Sequence, residues 1–406
     1  MTIQSPAELR DEPMSGVYGR TFWLAYLANS ALVMANALTF RFAELVHFLG
    51  GTESVVGDIV ALGTFVAVIV RLSVSHVLDD YGTRRIWPIC SLLFISGCAL
   101  FLAATHAFWL LYVARITFFV GLTGMFACSM THIQNHVPPG RRTEIIGNLG
   151  SSGFVGMILG SNLGDWILYV VTQPRLQFLI LFGGAGVIGI LYLMIVIALT
   201  YHDHFESRSA SPMAFRLLFR YWPGTVVIAA MTMGLGVTAT QTFLTRYATS
   251  RDIEGIGVFF TGYAISAFVF RLLVQNWSQT IGRHWMLVRG LIGHAIGHFL
   301  LAFVTEGWQF IIPSIVCGFG HALLFPAVVS LGSGTFPKQF RGTGTAIILG
   351  FTDFGSLVFA PVLGRIGDRF GFPAMYGVSA AVALIMAVGY SLIALKHSDD
   401  ESQAFR

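Results

Sequence analysis

The sequence predicts an all-α polytopic membrane protein, with twelve transmembrane helices in two pseudo-symmetric bundles of six. Three observations carry that expectation. The chain has 406 residues, 55% of them hydrophobic and only 11% charged, against about 25% charged in a soluble domain. Apolar runs of membrane-crossing length recur along it; a helical span takes about 20 apolar residues. The first and second halves also repeat one another at a fixed offset.

The elements follow in order. Residues 1–20 are polar and carry Glu8, Asp11 and Glu12. They lack the basic start and apolar centre of a secretory signal and are read as a cytoplasmic tail. Apolar runs then fall at 21–47, 54–78, 85–104, 107–133, 144–170 and 177–200, the first bundle (21–200). The longest polar break, 201–222, holds Arg208, Arg216 and Arg220 with several serines and is read as a cytoplasmic linker. Six further runs, at 223–247, 255–276, 285–304, 308–333, 343–367 and 373–395, form the second bundle (223–395), and 396–406 is a cytoplasmic C-terminal tail. The 45 glycines suit close helix packing in lipid. Cys90, Cys98, Cys128 and Cys317 fall in apolar runs and read as small packing residues, not as a disulfide set or metal site.

Arginine and lysine set the orientation, because cytoplasmic loops carry them in excess. With the N-terminus inside, inside segments hold fourteen, including Arg84, Arg85, Arg141, Arg142, Arg283 and Lys338. Outside segments hold five: Arg175, Arg246, Arg251, Arg365 and Arg369. Both termini are therefore expected in the cytoplasm, in the inner membrane of a bacterium.

The repeat pairs Gly57 with Gly257, Arg71 with Arg271, Gly82 with Gly282, Gly150 with Gly350 and Gly164 with Gly364, each 200 residues apart. Internal repeats of this kind mark secondary transporters, whose solute site lies between the halves near the midplane.

Between spans 2 and 3 runs Ser75-His-Val-Leu-Asp79-Asp80-Tyr-Gly82-Thr-Arg84-Arg85. It resembles the loop signature G-x-L-a-D-r-x-G-r-r of the major facilitator superfamily, matching at Asp79, Gly82, Arg84 and Arg85 and departing at Ser75 and Asp80. The second copy, 276–284, is degenerate, with Gln279 at the acidic position. Arg115 resembles the arginine of a second family motif. Gly156, Gly160 and Gly164 resemble the glycine-rich motif of exporters and antiporters, with Ser161 where a proline is usual. The resemblance covers the whole chain and implies alternating access by rocking of two halves. Physically, Gly82 permits a positive-φ turn, and Arg84 and Arg85 prefer the headgroup layer. With Asp79, Arg71 and Arg271 they form a candidate conformational latch, read against plain topology signals and structural bracing.

A charge in the bilayer costs at least about 2.5–3.5 kcal/mol and should meet a partner or a wet cavity. Arg41 and Glu44, three apart on one helix face, are read either as a mutually neutralising pair or as a gate or solute site. Arg115, near the outer end of its span, is read either as reaching the interface or as functional. Asn36 and Gln241 add hydrogen-bonding groups, and Phe40, Phe243 and Tyr263 apolar walls. His294 and His298 are read as packing histidines. The family places spans 10 and 11 on the cavity, which implicates His321 and Asp353. Histidine changes charge near physiological pH, and burial favours the protonated form of a carboxyl. The substrate-binding candidates are thus Arg41, Glu44, Asn36, Arg115, Gln241, His321 and Asp353, and the proton-coupling candidates are Asp353, His321 and Glu44.

The chain has no G-x-x-x-x-G-K-[ST] phosphate loop, no HExxH and no nucleic-acid motif, so an ATP-driven pump, an enzyme and a nucleic-acid binder are disfavoured. No cofactor or metal is expected, only an ion gradient, taken as protons. The expected partners are a small-molecule substrate and membrane lipids, and a monomer is expected. The leading expectation is proton-coupled efflux of a small organic solute. The alternatives are proton-coupled uptake or uniport of a small organic anion held by Arg41 or Arg115, and, from another class, a membrane sensor that transports nothing.

Overall fold

The structure, a computed structural model, describes residues 19–105, 108–136, 142–201, 213–274 and 277–404. The expected tail at 1–18, most of the linker (202–212) and Arg141 lie outside them. Among the described residues the secondary structure is helical throughout. Helix α1 (Arg20–Leu38) runs through a 3-10 turn, Thr39–Arg41, into α2 (Phe42–Phe48). Long helices follow: α3 (Glu53–Tyr81), α4 (Thr83–Ala103), α5 (Phe108–His136), α6 (Arg142–Val170) and α7 (Pro174–Thr200). Short α8 (Ala214–Arg220) buries Ala214 and Leu217 against Phe336 and Ile347 and leaves Phe215 and Phe219 outward. Then come α9 (Val226–Gln241), α10 (Leu244–Ser250), α11 (Gly257–Leu273), α12 (Trp277–Thr280), α13 (Arg283–Leu301), α14 (Ile311–Gly334) and α15 (Arg341–Ala404). Helix α15 is two arms joined at Gly371, whose φ of 79° and ψ of 169° are not helical.

By length and apolarity eight helices qualify as membrane spans, or nine if α9 and α10, bent by 40°, count as one. That criterion does not reach the expected twelve, for identifiable reasons. Helix α11 has only 17 residues. Helix α13 carries Arg283, His284, Arg289, His294 and His298. The two arms of α15 are one continuous element across the Gly371 break. Large apolar side chains such as Trp109, Leu191, Met194 and Leu392 point outward. A surface this apolar suits lipid and not water. The four cysteines are buried and free.

Packing relies on glycine where helices must meet. A Cβ at Gly156 or Gly160 in α6 would collide with the carbonyls of Ser30 and Met34 in α1. A Cβ at Gly57 in α3 would collide with the Ala360 carbonyl of α15. Gly82 and Gly282, at φ 76° and 79°, open α4 and α13 in matching turns. Two seams join the chain before residue 201 to the chain after 213: α3 against the first arm of α15, and α6 against α11. The end of the bundle holding Gly50, Asp252 and Gly371 is here called distal; Gly82 and Gly282 lie at the other, proximal end.

Candidate functional site

A cavity of about 170 Å³ lies between the two parts of the chain, on the seam of α3 and α15. Its walls include Asn36, Thr39, Phe40 and Phe42 around the α1–α2 break, Thr64 and Arg71 of α3, and Arg115, Phe119, Thr123 and Phe126 of α5. Thr238, Gln241, Asp353 and Ser356 come from the other part of the chain. Arg71 Nε donates to Asp353 at 2.6 Å, an ion pair across the seam between residues 282 apart in sequence. Both side chains keep partial exposure, so the pair sits at the cavity wall and not in dry core.

Arg115 is different. It is buried, and its Nε finds no hydrogen-bond partner. Its Cζ lies 4.5 Å from the Phe42 ring centroid and 4.3 Å from that of Phe119. Cation–π contacts of this kind stabilise a guanidinium by about 0.5–2 kcal/mol. They do not satisfy its N–H donors.

The distal end is closed by charges. Asp165, near the end of α6, accepts from the backbone N–H groups of Ile256 (2.9 Å) and Gly257 (2.5 Å), capping α11 across the seam. Asp368 does the same for α3, accepting from Glu53 N (2.9 Å), Ser54 N (2.8 Å) and the Ser54 hydroxyl. A carboxylate at a helix N-terminus meets both orphan N–H donors and the positive end of the helix dipole. The two caps are related by an offset of 203 residues: 165 to 368, and 53–54 to 256–257. Arg41 backs Asp165 from inside as an ion pair. Arg246 reaches Glu53 (2.9 Å) and Glu44 (3.3 Å), and Thr249 donates to Glu44 (2.8 Å). Asn162 donates to Thr261, and Arg365 pairs with Asp58 at the exposed rim. A second, larger cavity of about 860 Å³ lies at this end, lined in part by Arg41, Glu44, His47, Asp165, Tyr169 and Glu254.

These placements sort the residues singled out from the sequence. Asn36, Gln241, Arg115 and Asp353 share the central cavity, with Phe40 and Arg71. Arg41 and Glu44 do not pair with each other. Arg41 ends the 3-10 turn with non-helical backbone (ψ 9°) just before the helix that carries Glu44, so Arg41 goes inward to Asp165 and Glu44 across to Arg246. Both border the distal cavity. His321 is not among the residues lining the central cavity; its ring stacks with Phe325 and leans on Tyr263. Arg115 does not reach the interface, because Phe42 and Phe119 cover it. Arg71 turns to Asp353. Its repeat partner Arg271 lies over Phe154 and Phe325. Gly82 has the positive φ its turn requires, and Arg84 and Arg85 are exposed beside it. His294 and His298 are buried side by side, and His298 Nδ1 meets the Ser379 hydroxyl at 2.7 Å. Among the described residues no group of three or more His, Cys, Asp or Glu is arranged to hold a metal.

Sequence reasoning missed Asp165, Asp368, Arg246 and Glu53. Their signal was present: Gly164-Asp165 and Gly367-Asp368 are the same dipeptide 203 residues apart. The 200-residue register holds at the proximal end, where Gly150 faces Arg271 and Gly350 faces Arg71. It slips by three residues at the distal end, so Gly57 and Gly257 are not structural equivalents.

The arrangement can be compared with known proteins. The family model described as Major Facilitator Superfamily matches residues 21–256 and 251–406. Relatives named as the uncharacterized MFS-type transporter YhhS include one of Escherichia coli K12, 24% identical over 351 residues, covering 81% of this chain and 82% of the relative. The Salmonella typhimurium protein of that name is 25% identical over 350 residues, covering 82% and 81%. Among solved structures, a variant of the nucleoside transporter NupG is similar at a TM-score of 0.78 and 13% identity, covering 92% of this chain and 99% of that one. A POT family transporter in complex with 5-aminolevulinic acid is similar at 0.75 and 13%, covering 95% and 98%. At such identities the structures show a shared fold only. The chain is a multi-pass membrane transporter and belongs to the major facilitator superfamily.

Proposed function

We propose that the chain is a proton-coupled secondary active transporter that moves a small organic solute through the central cavity by alternating access. The Arg71–Asp353 pair carries this reading. It joins the two parts of the chain, borders the cavity and retains contact with solvent, so protonation of Asp353 releases Arg71 and loosens one seam. A charge pair that changes state at the seam biases the equilibrium between two conformations, which is what coupling requires. The distal caps describe the state closed on that side. Opening there breaks Asp165 and Asp368 from the N-termini of α11 and α3.

The preference for efflux rests on the glycine-rich α6 alone. The distal face is assigned to the outside by the arginine and lysine excess at the opposite end, with both termini cytoplasmic in the inner membrane of a bacterium. The protein acts as a monomer and uses no cofactor beyond the ion gradient. The test is solute-driven proton movement in liposomes carrying the purified protein and a trapped pH-sensitive dye. A panel of small organic compounds is offered to wild type and to Asp353→Asn. The reading holds if at least one compound moves protons in wild type and none does so in the variant. Undiminished proton movement by Asp353→Asn removes it.

A further inference from the structure

We propose that Arg115 anchors a negatively charged group of the solute, which is a small organic monoanion with a compact apolar body. This rests on the transport reading above and adds the chemical class of what is carried.

Arg115 borders the central cavity yet is only 7% exposed. A buried cation without a counter-charge is unfavourable, and a cation aimed into a cavity gains from an incoming anion. The two phenylalanines lie against its faces. A planar guanidinium covered on its faces keeps its N–H donors in the plane of its edge, where a carboxylate or sulfonate engages them. The stem is held as well: a Cβ at Gly63 of α3 would strike Arg115 Cγ, so α3 closes against it.

The charges of the cavity fix the valence. Its lining holds two cations, Arg71 and Arg115, and one acid, Asp353. Arg71 and Asp353 satisfy each other, leaving one positive charge. Size and polarity fix the rest. At about 170 Å³ the cavity falls below the about 300 Å³ at which pockets for drug-sized ligands begin. Asn36, Thr64, Thr123 and Gln241 supply hydrogen bonds, and Phe40 and Phe126 supply apolar wall. Phe42 follows Arg41 directly and lies two residues before Glu44, both held in the distal closure. Opening that closure shifts one of the rings covering Arg115.

The experiment is thermal unfolding of the detergent-purified full chain. The probes are benzoate, lactate and methanesulfonate, each beside its uncharged twin: benzamide, lactamide and dimethyl sulfone. A ligand of the native state raises the melting temperature by mass action. The expected result is a rise in wild type with one or more anions and none with their twins. The rise is lost in Arg115→Gln, partly kept in Arg115→Lys, and unchanged in Arg271→Gln. If Arg115→Gln fails to fold, Arg115→Lys decides, by a rise of less than half that of wild type. Equal shifts with the uncharged twins, an undiminished shift in either Arg115 variant, or no shift with any anion overturns the inference. The full shift from sodium chloride alone makes this an inorganic-ion site and overturns the organic class. Liposome flux separates this inference from the reading beneath it. A neutral or cationic compound that drives Asp353-dependent proton movement, unaltered by Arg115→Gln, leaves transport standing and removes the anion site.

Discussion

The seam of α3 with α15 and the seam of α6 with α11 are built alike and charged differently. Each ends distally in a carboxylate that caps the partner helix, Asp368 on one and Asp165 on the other. Each carries, toward the proximal end, an arginine beside a glycine: Arg71 by Gly350 and Arg271 by Gly150. Lengths differ. From Glu53 to Arg71 is 18 residues, and from Ile256 to Arg271 is 15. From Gly350 to Asp368 is 18, and from Gly150 to Asp165 is 15. Both helices of the first seam are three residues longer, about 4.5 Å of rise, so long pairs with long and short with short. Charge differs too. Asp353 answers Arg71, whereas the position equivalent to Asp353 on the other seam is Gly153. The longer seam therefore holds an ion pair across its middle, and the shorter one holds a cation over two rings. On the proposed reading, the first seam is the one that responds to protons.

Loss of the Arg71–Asp353 link falls most heavily on transport. Asp353→Asn is expected to cut proton-driven transport at least about tenfold while sparing exchange of solute down its own gradient, measured in liposomes. It strands Arg71, and Arg71→Gln in the same chain is expected to recover thermal stability relative to either single change, a coupling that a double-mutant cycle reads directly.

The caps come next. Asp165→Asn leaves Arg41 buried without its acid and is expected to cost about 3 kcal/mol in thermal unfolding, near the low end for breaking a buried pair. Asp368→Asn, at a more open site without such an arginine, is expected to cost about 1 kcal/mol. Equal losses would show that Arg41 does not distinguish the two ends.

The second seam can be given the acid it lacks. A Cβ at Gly153 meets nothing nearer than Val33 Cγ2 at 3.9 Å, so Gly153→Asp fits. It is expected to pair with Arg271, stabilise the distal-closed state by about 1 kcal/mol, a modest charged hydrogen bond, and slow turnover severalfold. At the exposed rim, Arg365→Ala removes the pair with Asp58. It is expected to destabilise the fold least, by about 0.2–1 kcal/mol in thermal unfolding.

Much of this was legible in the sequence, for physical reasons that differ by residue. Apolar runs locate helices because lipid demands them, so the bundle could be read almost throughout. The same criterion undercounts α11 and α13, one short and one rich in Arg and His. Arg71 and Asp353 each stood out as charges in apolar runs, but nothing local reveals a pairing across 282 residues. Arg41 and Glu44 misled because spacing assumes an unbroken helix, and Arg41 instead ends a 3-10 turn outside the helix that carries Glu44. Asp165 and Asp368 were passed over because they sit at the edges of apolar runs, where an acid looks solvated. Only the neighbouring helix N-termini show what they hold.

The most direct test concerns the distal closure. Spin labels go on cysteines introduced at Tyr169 and Trp308, both exposed, while the native cysteines stay buried. Pulsed dipolar spectroscopy then reads the distance between them in wild type and in the Asp165→Asn, Asp368→Asn double variant. Wild type is expected to show one short distance, with a second, longer population once both caps are gone. A double variant whose distance distribution matches wild type would contradict this role of the caps.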